Sequence, residues 1–454
     1  MLISKANRYN TPPAVAAALA RHCPRNARRL LDPCVGTGSL LTAVLSNRRE
    51  RVNATAIDIN GAALKTFGAT GICRHHTTRL YKQCFFDWLR TRREFDRKRM
   101  GFDCVVMNPP FAGRRERWIS TADLRELASP LTPGILPELV PIEVAFVLAG
   151  ICLLRNNGRL LAVLPSSFVA SDTSCWLRKL LLASGNVRQV HELPQFTFPS
   201  IESRMYLFVF QRDSRTRRVV LLNHDLQKPE RMVFPKGRLI NSRFDYRFQQ
   251  AACRLQRLRL SASLAWRQLG DFADVLRGRT SISSAPKSGV HTGDYKMGFW
   301  NSKKIIPVNR PGGVEILQGG DILVKRVSRR CSATFGLYAG IAGQQCTECI
   351  LIIRSNKIAP EALLFALRCC AHPDLLSPLL ERGTGATYIS SEILRDIHVP
   401  TALSKRFRHK FRQYVNAVRR RDYAEMLRVE AIVRRQLLLQ SGQTPLLSSS
   451  VFDK

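Results

Sequence analysis

The chain has 454 residues, 45% of them apolar, enough for two or three domains with a substantial core. It carries 71 Lys+Arg against 34 Asp+Glu, a net charge of +37, which points to a polyanionic partner, foremost nucleic acid. The most apolar stretch, residues 142–154, contains Glu143 and is too short to span a bilayer, so it reads as a buried helix and a membrane-spanning class is excluded.

In chain order, residues 29–31 form a short strand that enters Asp32-Pro-Cys-Val-Gly-Thr-Gly-Ser-Leu-Leu and then an apolar helix over 40–45. A strand over 53–59 carries Asp58, a helix covers 62–67, and Asp87 in CFFDWL is expected near the end of a third strand. Residues 103–107 form a strand that runs into Asn108-Pro109-Pro110-Phe111. A helix over 143–154 stops at Asn157-Gly158 and is followed by a strand over 159–164. A helix over 176–182 and strands over 187–192 and 205–211 complete an alternating pattern, which predicts a doubly wound α/β sheet. From residue 245 the style changes. A helical connector over 243–260 leads to short strands broken by Gly, Pro and Ser, and then to a helix over 360–370. The pattern over 407–439 reads as one long helix, with 11 basic and 3 acidic residues between Lys405 and Arg435.

Thirteen cysteines raise the question of disulfides or zinc. Only Cys346 and Cys349 have C-x-x-C spacing and no second pair accompanies them, so no metal site is expected and the thiols are read as reduced.

The Gly36-Thr-Gly38 turn lies between strand and helix, where a backbone without side chains admits a ligand closely. Leu41 stands where a dinucleotide fingerprint wants a third glycine, and no Lys-Ser/Thr follows, which excludes a P-loop. Asp58, twenty residues after Gly38, ends its strand where a carboxylate can accept from ribose hydroxyls. Asn108 ends another strand, and consecutive prolines interrupt any sheet ladder there. An amide oxygen beside the Pro109 carbonyl makes two adjacent acceptors, suited to an –NH₂ group. Accepting both its hydrogens frees the nitrogen lone pair, and Phe111 offers a face for stacking. Open α/β sheets bind ligands beyond the carboxyl ends of their strands, so these residues outline one crevice.

Asn-Pro-Pro-Phe after D-P-x-x-G-T-G resembles the gamma-class amino-group DNA methyltransferases. The resemblance implies a Rossmann-like fold, S-adenosylmethionine as cofactor, and adenine N6 in double-stranded DNA as target, reached by base flipping. YNTPPAVAAALA resembles that family's N-terminal motif, which implies that Thr11 holds the cofactor's carboxylate. Asp32, Pro33, Gly36 and Gly38 match the cofactor loop, Asp58 and Ile59 the ribose position, and Asp87 with Trp88 the adenine position. Asn108, Pro109, Pro110 and Phe111 match the catalytic motif, and Asn108 also borders the cofactor. Phe198 sits where the family places a second aromatic against the flipped base, with Phe196 a close competitor. Asn-Pro-Pro-Phe alone also fits enzymes that methylate rRNA bases or protein glutamine, and cytosine N4 shares the amine chemistry.

Arg114, Arg115 and Arg117 follow the catalytic motif as phosphate candidates, whereas the basic run over 91–100 reads as a solvated loop. In the second half, QLGDFADVLRG, GGDILVKRV and GTGATYISSEILRDIHVP resemble the target-recognition domains of type I restriction specificity subunits. That resemblance implies DNA contacts for Lys325 and Arg326 and a role in restriction–modification. The expected organisation is a catalytic domain over 1–245, a smaller α+β recognition domain over 246–440 with a basic C-terminal helix, and a tail over 441–454. The expected setting is the bacterial cytoplasm, bound to nucleoid DNA, as a monomer. A restriction endonuclease on a separate chain stays open as a partner.

Overall fold

Period-two alternation along the buried strands determines how the first half is layered. In the computed structural model, residues 10–443 are described except 92–100, 112–117, 129–135, 200, 202, 214–215, 224, 226–228, 262–263, 280–288, 302–315, 342 and 384–386. The chain divides into two units, Met1–Tyr246 and Arg247–Lys454.

The first unit contains β1 (Arg29–Asp32), β2 (Asn53–Asp58), β3 (Thr77–Lys82), β4 (Phe102–Met107), β5 (Trp118–Ser120), β6 (Leu139–Pro141), β7 (Leu154–Pro165), β8 (Gly185–Glu192), β9 (Met205–Arg212), β10 (Arg218–Leu222) and β11 (Arg231–Pro235). Nine of them form one sheet in the order β11-β10-β8-β9-β7-β4-β1-β2-β3, with β5 and β6 paired apart from it. Strands β3, β2, β1, β4 and β7 are parallel neighbours, and β9 runs antiparallel between β7 and β8. The carboxyl ends of β1, β2, β4, β7 and β8 therefore share one edge. This is the expected mixed α/β, Rossmann-like architecture.

All six residues of β4 are buried. Cys104 and Val106 join the core built by Val15, Leu19, Leu41 and Leu45 from the helices Pro13–Ala20 and Ser39–Ser46. Val105 and Met107 face the helix Ile142–Cys152. Gly150 allows that close approach, since a Cβ there would lie 2.8 Å from the Met107 methyl. Each fully buried Leu, Val or Phe contributes roughly 1.5–3 kcal/mol, so the sheet centre is the stable platform on which its carboxyl edge rests. At the opposite edge the buried Asp103 carboxylate accepts from the Arg29 N–H at 3.0 Å and pairs with Arg155 at 2.6 Å.

Two expectations change in this unit. Asn157-Gly158 does not separate the helix from a strand at 159. The helix ends at Cys152 and β7 begins at Leu154, with Asn157 at φ 62 and the β4–β7 register shifting alongside. A turn dipeptide here makes an irregularity within a strand. The third strand ends at Lys82, and CFFDWL instead forms the helix Phe85–Arg90. Phe85, Phe86, Trp88 and Leu89 are all buried there, an i, i+1, i+3, i+4 pattern that belongs to a helix.

The second unit carries a six-stranded sheet in the order β12 (Ala273–Arg277), β17 (Ile350–Ser355), β15 (Ile322–Lys325), β16 (Gly336–Tyr338), β14 (Phe299–Trp300) and β13 (Tyr295–Lys296). Ile322, Val324, Leu351 and Ile353 share a core with the helices Pro360–Cys370, Arg408–Arg420 and Tyr423–Gln443, whereas Leu323, Ile350 and Ile352 meet Trp300 and Tyr338. Arg368 and Glu430 form a buried ion pair between two of these helices. The expected single helix over 407–439 is broken at Arg421, whose φ is 55. Asp422 Oδ1 then accepts from the Glu425 N–H at 3.0 Å and starts the second helix, which continues to Gln443, into the stretch read as a tail. Among the described residues, no helix is long and apolar enough to cross a membrane.

Candidate functional site

β1 ends in Asp32, which is 2% exposed, and in the buried Pro33. The chain then turns sharply. The Cys34 N–H donates to Asp32 Oδ1 at 3.1 Å, and the Val35 N–H to the Ile57 carbonyl at 3.0 Å. Gly36 and Gly38 both adopt positive φ, 54 and 90, a region that L side chains rarely enter. A Cβ on Gly38 would lie 2.1 Å from the Phe67 ring, whereas nothing lies within 4 Å of one on Gly36. Gly38 is required by packing beneath the turn, and Gly36 opens onto space above it.

Across this turn, the Gly36 N–H donates to Asp58 Oδ2 at 2.7 Å and the Asn60 N–H to Asp58 Oδ1 at 2.8 Å. The carboxylate at the end of β2 is thereby held beside the turn. Ile59 follows it and is 44% exposed. Burial pushes the Asp32 carboxyl up to about 8; the Cys34 N–H pulls it down, and the nearby Asp58 charge adds to the rise. Such an acid favours a cationic neighbour that would let it ionise.

Asn108 follows β4 at the same edge. Its Nδ2 donates to the Thr11 hydroxyl oxygen at 3.0 Å, which turns its Oδ1, an acceptor, the other way. Thr11 is 6% exposed. It precedes Pro12 and Pro13, where the helix Pro13–Ala20 begins. The Asn108 backbone also hydrogen-bonds the Cys34 thiol, which burial pushes upward. Thr37 donates to the Asn10 amide oxygen at 3.3 Å. The N-terminal segment, the glycine turn and the end of β4 are thus one connected set, and Asn10 is a member the sequence pattern did not single out. Pro109 is buried, and Pro110 and Phe111 are half-buried. Phe111 packs against the core that contains Val15, Leu19 and Phe198.

Thr11, Asp32, Pro33, Gly36, Gly38, Asp58 and Asn108 are therefore brought together. The other predicted residues fare differently. Asp87 is exposed on the helix after β3, where its Oδ1 accepts from Arg90 Nη1 at 3.1 Å, and Trp88 is buried against Phe85 and Tyr81. Phe198, expected to stack on a base, is 2% exposed and packed in the sheet core, so its ring presents no open face; Phe196 is 67% exposed. Arg114, Arg115 and Arg117 lie outside the described residues. In the second unit, Lys325 Nζ sits 5.7 Å from the centre of the Tyr295 ring, and Arg326 Nε donates to the Glu348 carbonyl at 2.8 Å.

A family model described as N-6 DNA Methylase matches residues 3–236, just over half of the chain. Among solved structures, the type IIG restriction endonuclease BpuSI is similar over 97% of this chain and 67% of its own, with 12% identity and a TM-score of 0.51. The type I restriction–modification methyltransferase subunit from Streptococcus thermophilus shares 22% identity over 48% of each chain, with a TM-score of 0.41. For the M protein of the type I restriction enzyme EcoKI the values are 14%, 48% of each chain and 0.36. The chain spans about half the length of these two subunits. No curated protein matches it.

Proposed function

Because this chain belongs to the N-6 DNA methylase family, we propose that it methylates the N6 amino group of adenine in duplex DNA, using S-adenosylmethionine, in a restriction–modification setting. The observation that carries this reading is the Asn108–Thr11 hydrogen bond beside the Gly36–Asp58 turn.

The residues fit the cofactor. Open space above Gly36 admits a ligand to the backbone, Asp58 has lone pairs for ribose hydroxyls, and Ile59 offers an apolar face to adenine. The buried Asp32 suits the ammonium end, and the Thr11 hydroxyl, which accepts from Asn108, keeps its own proton to donate to the carboxylate. When bound, S-adenosylmethionine supplies an electrophilic methyl group on sulfonium.

The chain's own contribution is positioning and hydrogen bonding. Asn108 Oδ1 and the Pro109 carbonyl accept the two N–H bonds of the target amine and favour a pyramidal nitrogen. Phe111 takes the face of the extruded base; extrusion costs a few kcal/mol of stacking, which pocket contacts offset. The second unit reads base edges, with Lys325 and Arg326 beside the recognition surface and Arg114, Arg115 and Arg117 at phosphates. The chain acts as a monomer, and cleavage, where it occurs, belongs to a separate restriction endonuclease.

The test is incubation of the purified chain with methyl-labelled cofactor and, separately, duplex DNA, total RNA and protein. Label is expected in DNA alone, as N6-methyladenine. Label confined to RNA or protein would exclude the reading, and label at cytosine N4 would correct its target base.

A further inference from the structure

The most exposed aromatic ring among the described residues lies outside this chemistry. Phe196 is 67% exposed on a backbone with φ 62, a left-handed conformation that a bulky residue adopts at an energetic cost. The surrounding structure holds it there. The Thr197 N–H and hydroxyl both donate to the Pro194 carbonyl, at 3.3 and 2.6 Å, closing a tight turn around Phe196. Below the turn, Glu192 and Arg204 pair at 2.8 Å, with the Glu192 side chain fully buried, and the Leu193 N–H donates to the Met205 carbonyl at 2.9 Å. The Ser166 N–H, after β7, donates to the Arg204 carbonyl at 2.9 Å. The loop from β8 to β9 is thus fastened at both ends, with an apolar ring at its tip.

Topology places this loop at the active edge. β8 runs in the same direction as β4, and β9 and β7 lie between them, so three strand spacings of about 4.8 Å separate their ends. Leu193, Phe198 and Ile201 of the loop pack into the same core as Phe111. Gln195 and Pro199 beside the tip are exposed, and the other exposed large apolar side chains of this unit lie on other elements. Among the described residues, a single exposed ring on this loop is too small a patch for a protein interface. It matches a gap one base thick.

We propose that Phe196 is a wedge that enters the duplex at the target adenine and fills the space the extruded base leaves. This rests on the DNA-adenine reading above. Inserting an apolar side chain between base steps offsets unstacking, and the clamped loop presents the ring without further ordering. Phe198, next but one, anchors the loop and is not the wedge.

The experiment uses the full chain. Sequencing of modified bases in DNA from cells expressing the wild type defines the site. Two synthetic duplexes carrying it are then compared, one fully paired and one with an abasic residue opposite the target adenine, where extrusion is already eased. Phe196→Ala is expected to methylate the paired duplex at least tenfold more slowly than wild type, and the abasic duplex within threefold of it. Phe196→Trp is expected to retain activity on both. Equal loss on both duplexes, or no loss on either, would overturn the wedge while leaving the methyltransferase reading intact. A wild type that leaves no modified base would remove both.

Discussion

The Asn108 side-chain amide donates to the Thr11 hydroxyl at 3.0 Å across 97 residues of sequence. This bond joins the segment before the first helix to the end of the central strand, and it decides which end of the amide points into the crevice. Thr11 is therefore a positioning residue for Asn108 as well as a candidate donor to the cofactor.

Thr11→Val keeps the shape and removes the acceptor. Methyl transfer is expected to slow roughly tenfold, the scale of one lost hydrogen bond of 1–1.5 kcal/mol, while Thr11→Ser stays near wild type. Steady-state kcat and the cofactor KM measure this; a valine variant with wild-type kcat would remove the positioning role.

The two glycines of the turn separate packing from binding. Gly38→Ala adds a Cβ at 2.1 Å from the Phe67 ring on a backbone at φ 90, so a loss of roughly 1–3 kcal/mol and a lower Tm are expected. Gly36→Ala meets no atom and bears only the strain of its φ, so its Tm changes less. Its methyl intrudes on the open space, and cofactor titration by calorimetry should show the larger effect there.

Asp32 links both folding and binding to pH. Its carboxyl is raised to about 8 by burial, so between its ordinary value and about 8 the folded chain holds a proton that the unfolded chain has lost. Stability contributed by this group therefore falls as pH rises through that window, on the scale of roughly 1.4 kcal/mol per pH unit. Denaturant midpoints between pH 5 and 8.5 should decline for wild type and flatten in Asp32→Asn. Affinity for a cationic ligand at Asp32 should move oppositely, strengthening toward pH 8, and the asparagine variant should lose that dependence.

Arg421 breaks the basic helix with φ 55. Arg421→Gly should stabilise the chain by roughly 0.5–1 kcal/mol, because glycine adopts this conformation without strain. Asp422→Ala, which removes the acceptor for the Glu425 N–H, should cost about 1 kcal/mol. Thermal melts of the two variants should move in opposite directions.

Much of the first unit is legible because its signals are local. An apolar run ending in Asn-Pro-Pro cannot continue as a sheet, and glycines at 36 and 38 announce a turn before a helix. Three features are not legible in this way. Asn157-Gly158 has turn chemistry, yet pairing of β7 with its neighbours overrides it. Asp422-x-x-Glu425 carries a helix-start signal inside an otherwise continuous helical period, and it is easily passed over. In QFTFP, nothing in the spacing says which phenylalanine points inward; the core that receives Phe198 is built from strands far away in sequence. The Thr11–Asn108 contact is likewise invisible to periodicity, and the resemblance implies a role for each residue without pairing them. The charge of +37 pointed to a polyanion, but it could not say which basic residues meet it.

The central claim is that Asn108 holds an adenine amino group for methyl transfer in DNA. Its most direct measurement is the N6-methyladenine content of DNA from host cells lacking other adenine methylases, after expression of wild type or Asn108→Ala at equal levels. The account expects N6-methyladenine at a defined sequence with wild type and none with the variant, while the variant still binds cofactor. Equal methylation by both proteins would contradict it.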